Sequence, residues 1–198
     1  MSKILVLDAM GVLYKAGDDV AELLVPFVVA KHGTDSVQEI EDAYLHASCG
    51  QMTARDFWLG VGVDPQLEDE YLEGHCLSDG LLEFLAEAQQ VYGRVVCLSN
   101  DVSEWSVKLR KRFGLEEYIS GWFISGDLHI RKPAPAIYQK VISALNVHPS
   151  DMVFVDDLPK NLLPAQTLGM SCVLFDSEGN EMHGQFPVAR TLRQIIHP

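Results

Sequence analysis

Four short runs of unbroken apolar character, Ile4–Leu7, Val95–Leu98, Met152–Val155 and Ser171–Phe175, alternate with segments of helical periodicity, and this alternation most constrains the fold. A strand with one wet face alternates apolar and polar residues, whereas a strand with no polar positions is covered on both faces. Helical spacing over Leu81–Tyr92, Glu104–Phe113, Ala134–Leu145 and Leu162–Leu168 supplies the covering layers, with Ser78-Asp79, Ser103 and Lys160-Asn161 as helix starts. Strand and helix in alternation require an α/β architecture: a Rossmann-like parallel sheet with helices on both faces. Trp122-Phe123-Ile124 fits a fifth, short strand.

The first two apolar runs are about 85 residues apart, far more than one crossover needs. The stretch from Ala16 to Cys76 is helical in pattern (Val20–Lys31, Val37–Ala47, Ala54–Leu59, Leu67–Glu73), and Gly60-Val61-Gly62-Val63-Asp64-Pro65 reads as a turn. The expected organisation is therefore a small α-helical cap over 16–76, inserted into a core made of 1–15 and 77–198. In the C-terminal part, Gly179, Gly184 and Pro187 precede an expected short helix over Val188–Ile196.

A net charge of −13, with no basic cluster longer than Arg110-Lys111-Arg112, excludes the electrostatic footprint of a nucleic-acid or anionic-membrane partner. Cys49, Cys76, Cys97 and Cys172 are scattered without a C-x-x-C pair and read as free thiols, Cys97 and Cys172 inside strands. The chain starts directly in strand, with neither a basic leader nor a long apolar stretch, so a cytoplasmic protein is expected.

In open parallel sheets, ligands bind at the carboxyl ends of the strands. Asp8 follows the first run, Ser99-Asn100-Asp101 the second and Asp156-Asp157 the third, while Arg131-Lys132-Pro133 precedes that third run. Carboxylates, a hydroxyl and an ammonium thus gather at one sheet edge, a set that holds a divalent cation beside an oxyanion. Each residue alone has an ordinary role too. Asp8 and Ser99-Asn100-Asp101 are potential helix caps, Asp156-Asp157 a turn, and Asn161 a cap for the next helix. His46, Arg55 and Trp58 read as packing or surface residues, and His129 as a surface histidine.

Asp8-Ala9-Met10-Gly11-Val12-Leu13, Ser99-Asn100, Arg131-Lys132-Pro133-Ala134-Pro135 and Val155-Asp156-Asp157-Leu158-Pro159-Lys160-Asn161 together resemble, in order and spacing, the four motifs of the haloacid dehalogenase-like superfamily. The insertion resembles the helical cap of the subclass that carries it after the first motif. This resemblance implies a Mg²⁺-dependent hydrolase of a phosphorylated small molecule, a phosphate ester or acyl phosphate, acting through an aspartyl-phosphate intermediate. Asp8 is the implied nucleophile, with Lys132 as its cationic partner. Asp8, Asp156 and the Met10 carbonyl are the implied metal ligands, Gly11, Ser99 and Asn100 bind substrate, and Asp157 and Asn161 support the site from behind. Gly50-Gln51-Met52-Thr53-Ala54-Arg55-Asp56-Phe57-Trp58 resembles the matching segment of small sugar-phosphate phosphatases and epoxide-hydrolase N-terminal domains.

The chain departs from the family pattern at Met10, where a second Asp usually handles protons. General acid–base catalysis is worth about 10²–10⁴-fold, so substrates whose leaving group needs a proton are expected to suffer. Three alternatives to an ordinary phosphatase follow. A dehalogenase expels halide without a proton, and a phosphonatase forms an imine on a lysine, for which only Lys31, with Lys15 at the hinge, is available. The third is a phosphate-binding or interaction protein that has lost turnover.

Overall fold

The computed structural model describes residues 3–179 and 184–197; Asn180–His183, within the expected C-terminal segment, lie outside the described residues. Six parallel strands, β1 (Ile4–Leu7), β2 (Arg94–Ser99), β3 (Gly121–Ile124), β4 (Met152–Asp156), β5 (Ser171–Phe175) and β6 (Val188–Ala189), lie in the order β3-β2-β1-β4-β5-β6. Leu7 of β1 stands opposite Cys97 of β2 on one side and Val155 of β4 on the other. The chain leaves β1 in opposite directions along the two halves of the sheet, and this reversal opens a crevice at the carboxyl ends of β1 and β4.

Successive strand residues point to opposite faces. Leu5 and Leu7 feed one hydrophobic cluster, and Ile4 and Val6 feed the other. The segment after β1 is helical: a π-turn over Val20–Leu24 runs into α1 (Val25–Ala30), followed by α2 (Val37–Ala47), α3 (Ala54–Gly60), a 3₁₀ turn over Pro65–Leu67 and α4 (Glu68–Glu73). Pro26 lacks the N–H that would bond back to Glu22, a local reason for the wider turn just before it. The remaining helices are α5 (Leu81–Val91), α6 (Ser103–Arg112), α7 (Ser125–Leu128), α8 (Pro135–Leu145), α9 (Pro159–Thr167) and α10 (Leu192–Ile196).

Two boundaries differ from expectation. The expected helix over Val188–Ile196 is split: Val188 and Ala189 pair with Leu174 and Phe175, and the helix starts at Leu192 behind a Thr191–Gln194 capping box. The start of α9 moves from Lys160-Asn161 to Pro159, because the fixed φ of proline suits the first helical position.

The inserted helices share their hydrophobic core with the sheet. Leu24, Val28, Ile40, Phe57, Trp58 and Tyr71 belong to the same buried cluster as Leu5 and Leu7. At its centre the buried Glu68 accepts hydrogen bonds from two indoles, Trp58 Nε1 in the insert and Trp105 Nε1 on α6, each at 2.9 Å. Lys108 adds an ion pair to Glu68 at 2.7 Å. Replacing Glu68 with Ala strands both indole N–H groups, and a buried unsatisfied donor costs about 1–3 kcal/mol. Glu68→Ala is therefore expected to lose about 2–5 kcal/mol of unfolding free energy in urea, with Glu68→Gln losing clearly less; equal losses would contradict this role.

His75 packs edge-on against Tyr14 and Tyr71, and burial lowers its pKa from 6.5 to about 4. The unfolded chain therefore takes up this proton first, so the contribution of His75 is complete above about pH 6.5 and declines as pH falls toward 4. Relative to wild type, His75→Phe is expected to gain about 3 kcal/mol between pH 7 and pH 4, measured by denaturant unfolding at each pH.

Candidate active site

Asp8 is carried to the sheet edge by the β1 ladder: its N–H donates to the Val155 carbonyl at 2.9 Å. One carboxylate oxygen accepts from the Ala9 amide at 2.6 Å. Lys132 reaches the same point from the loop between α7 and α8, with Nζ 2.7 Å from Asp8 Oδ1 and 2.7 Å from Asp156 Oδ2. The loop is held by Asn100, whose Oδ1 accepts from the Lys132 amide at 2.8 Å and whose Nδ2 donates to the Lys132 carbonyl at 3.0 Å. Asn100, expected to bind substrate, lines the cavity, and both ends of its amide bond the Lys132 backbone.

Asp156 is fully buried and surrounded by donors. Oδ1 accepts from the Leu158 amide at 2.9 Å and Asn161 Nδ2 at 2.9 Å; Oδ2 accepts from Asn161 Nδ2 at 3.1 Å as well as from Lys132. Asp157 is half-buried and, among the described residues, no other side chain or backbone amide donates to it. Oxygens of Asp8, Asp156 and Asp157 lie within 4.8 Å of one another. Three carboxylates thus face one buried ammonium, the exposed Lys160 being the last of the influences on Asp157. Burial first, then the Asp156 carboxylate, raises the pKa of Asp8 against the pull of Lys132. The same two causes push Asp157 up to about 7. For Lys132, burial alone would lower the pKa, but Asp156 and Asp8 outweigh it and the ammonium is retained. A divalent cation is the group whose charge and oxygen preference fit this imbalance.

Met10 is buried and lines the cavity beside Asp8. Its amide donates to no protein atom among the described residues, whereas the Gly11 amide, expected to face substrate, is taken by the Ala16 carbonyl at 2.8 Å. Gly11 instead makes room. Its φ is +72°, and a Cβ there would lie 2.3 Å from Asp157 Oδ2. The Ser99 hydroxyl is buried, without a hydrogen-bond partner among the described residues, and part of the cavity wall.

The cavity holds about 460 Å³ and adds residues that the sequence did not single out, among them Asp19 and Tyr44, besides Lys160 of the fourth motif. Arg131 joins them from beside Lys132, stacked over the Tyr44 ring at 5.3 Å and hydrogen-bonded to Ser48. Tyr44 and Asp19 carried no motif signal, because their place depends on how the insert folds back. His46 and Arg55 are exposed and outside this cavity, Trp58 is in the core, and the exposed His129 contacts the Cys49 carbonyl at 3.1 Å. Lys31 is paired with Glu70 at 2.6 Å and Lys15 with Asp79 at 2.7 Å; neither lines the cavity.

Gly11→Ala would force both a left-handed alanine and a collision with the Asp157 carboxylate. The expected outcome is a loss of about 1–2 kcal/mol from the backbone alone together with displacement of Asp157, read by urea unfolding and by divalent-cation titration.

Among curated proteins the chain is similar to flavin mononucleotide hydrolase 1 of Arabidopsis thaliana, 30% identical over 126 residues that make up 63% of this chain and 51% of that protein. It is also similar to (S)-2-haloacid dehalogenase 4A of Burkholderia cepacia, 29% identical over 127 residues, 63% of this chain and 54% of that protein. The matches thus span about half the length of these relatives. Among solved structures, a HAD family enzyme from Bacteroides thetaiotaomicron, in complex with magnesium and inorganic phosphate, shares the fold with a TM-score of 0.77 at 22% identity, covering 91% of this chain and 97% of that one. The family model for haloacid dehalogenase-like hydrolases matches residues 3–169, and with the four motifs meeting at one sheet edge, the chain belongs to that family of hydrolases.

Proposed function

We propose that this protein is a Mg²⁺-dependent phosphohydrolase of a phosphorylated small molecule, working through a phosphoryl group carried on Asp8. The observation that carries this reading is the convergence of Asp8, Asp156 and Asp157 within 4.8 Å around the single Lys132 ammonium, beside the unpartnered Ser99 hydroxyl. A carboxylate attacking an anionic phosphorus needs fixed positive charge and oriented donors, and this is such a set. The flavin mononucleotide hydrolase and the magnesium- and phosphate-bound HAD enzyme point the same way.

In this reading Asp8 attacks phosphorus, while Ser99, the Met10 amide and Lys132 hold the equatorial oxygens. Asp8, the Met10 carbonyl and Asp157 would hold Mg²⁺. Asp157 is favoured over Asp156 as the direct ligand because the oxygens of Asp156 are already engaged by Lys132, Asn161 and the Leu158 amide. The cation supplies charge neutralisation between nucleophile and phosphoryl group. Asp156 then keeps Lys132 in place, and Asn161 keeps Asp156 in place. The segment 16–76 serves as the cap that shapes the substrate space, and the 460 Å³ cavity suits a small phosphate ester or acyl phosphate. Imine chemistry has no support, since Lys31 and Lys15 are ion-paired away from the cavity.

The test is hydrolysis of p-nitrophenyl phosphate and acetyl phosphate with Mg²⁺ or with EDTA. Turnover is expected only with the cation, and Asp8→Asn is expected to lower it at least ~10³-fold. Halide release from 2-haloacids in EDTA would replace this reading with a dehalogenase. Tight Mg²⁺-dependent binding of beryllofluoride without turnover of either ester would replace it with a phosphate-binding protein.

A further inference from the structure

Methionine at position 10 offers no carboxyl where the family pattern has its proton donor, yet a buried acid from the insert faces the same cavity. Asp19 is 6% exposed, lines the cavity together with Asp8, Met10 and Ser99, and its Oδ2 has no hydrogen-bond partner. A buried carboxyl oxygen without a partner is costly and needs a reason. Its neighbour Asp18 has an ordinary one: Asp18 Oδ1 accepts from the Ala21 amide at 3.0 Å, and Glu22 accepts from the Asp18 amide at 2.9 Å, so Asp18 caps the turn. The Asp19 carboxylate feels the amides of its own residue and of Val20, but it makes no capping hydrogen bond to the turn it precedes and its Oδ2 stays unpaired. The segment that carries it also touches the catalytic edge, since a Cβ on Gly17 would lie 3.2 Å from Asp157 Oδ2.

Resting on the phosphohydrolase reading above, we propose that Asp19 is the general acid and base of this enzyme, delivered from the insert in place of the missing carboxyl at position 10. In the first step the Asp8 oxygen bonds to phosphorus, the bond from phosphorus to the leaving oxygen breaks, and the Asp19 carboxyl gives its proton to that oxygen. In the second, water attacks the phosphorus on Asp8, the Asp19 carboxylate takes the proton from water, and the bond between phosphorus and Asp8 breaks to release inorganic phosphate. Asp19 ends protonated, ready for the next cycle.

The surroundings suit that role. The charged and titratable groups around Asp19 are Asp18 on its own segment, Tyr44 from α2, Tyr71 from α4, Asp101 after β2 and Arg131 before α8. Burial first and Asp18 second push Asp19 up to about 7, with Arg131 opposing them. An acid near the working pH can both give and take a proton, which general acid–base catalysis requires.

The experiment compares aryl phosphates of graded leaving-group basicity, from p-nitrophenyl phosphate to phenyl phosphate and then an alkyl phosphate, using the full chain with Mg²⁺. Asp19→Asn is expected to lose about 10²–10³-fold on the burst of alcohol or phenol released from the poor leaving groups, and less than about tenfold on the p-nitrophenolate burst. Adding Met10→Asp to Asp19→Asn is expected to recover at least about tenfold of the lost rate on phenyl phosphate, a rescue that a folding defect would not allow. Equal losses on all leaving groups, or no loss on any, would overturn the role of Asp19 and leave the phosphohydrolase reading intact. Absence of Asp8-dependent product from every ester in the unmodified protein would overturn both.

Discussion

The Lys132 ammonium, 2.7 Å from both Asp8 and Asp156, is the contact around which the catalytic edge is built. Two buried carboxylates at the ends of adjacent parallel strands repel each other, and each loses hydration in the crevice. A buried pair is sound only when its geometry is fixed and its remaining lone pairs are filled. Both conditions are met: Asn100 holds the Lys132 backbone at two points, and Asn161 and the Leu158 amide complete Asp156. Asn100 and Asn161, both named by the motifs, thus brace the Lys132 and Asp156 side of the cavity. Asp157 is the carboxylate of the three without such support.

The sheet was legible because burial on both faces writes unbroken apolar runs into the chain, and β1, β4 and β5 fall on those runs. The two-residue β6 was not, since pairing at a sheet edge is decided by where β5 leaves its backbone groups, not by composition. The site divides in the same way. Asp8, Ser99, Lys132 and Asp156 stand at strand ends or beside them, where parallel topology makes their convergence readable. The duty of Asn100 depends on a reciprocal pair with a backbone 32 residues away, and spacing carries no trace of it. Asp19 and Tyr44 belong to the insert, whose approach to the sheet is a tertiary result.

Gly11 and Gly17 show a different kind of necessity. A side chain at either would press on Asp157. The first motif therefore contributes to the site through what it omits as well as through its carboxylate. Met10 sits between these demands. Its amide has no protein acceptor among the described residues, and its buried side chain presents a soft apolar surface to the cavity next to Asp8. Such a surface adds no further negative charge to a cluster already crowded with carboxylates.

Glu68, finally, bears on how a substrate gets in. A single carboxylate grips one indole from the insert and one from α6, inside a hydrophobic cluster that runs unbroken from sheet to insert. Swinging the insert away as a rigid lid would tear that cluster and leave two indole N–H groups dry. A substrate of this site therefore meets an insert anchored to the rest of the fold by two buried indole hydrogen bonds and a shared core.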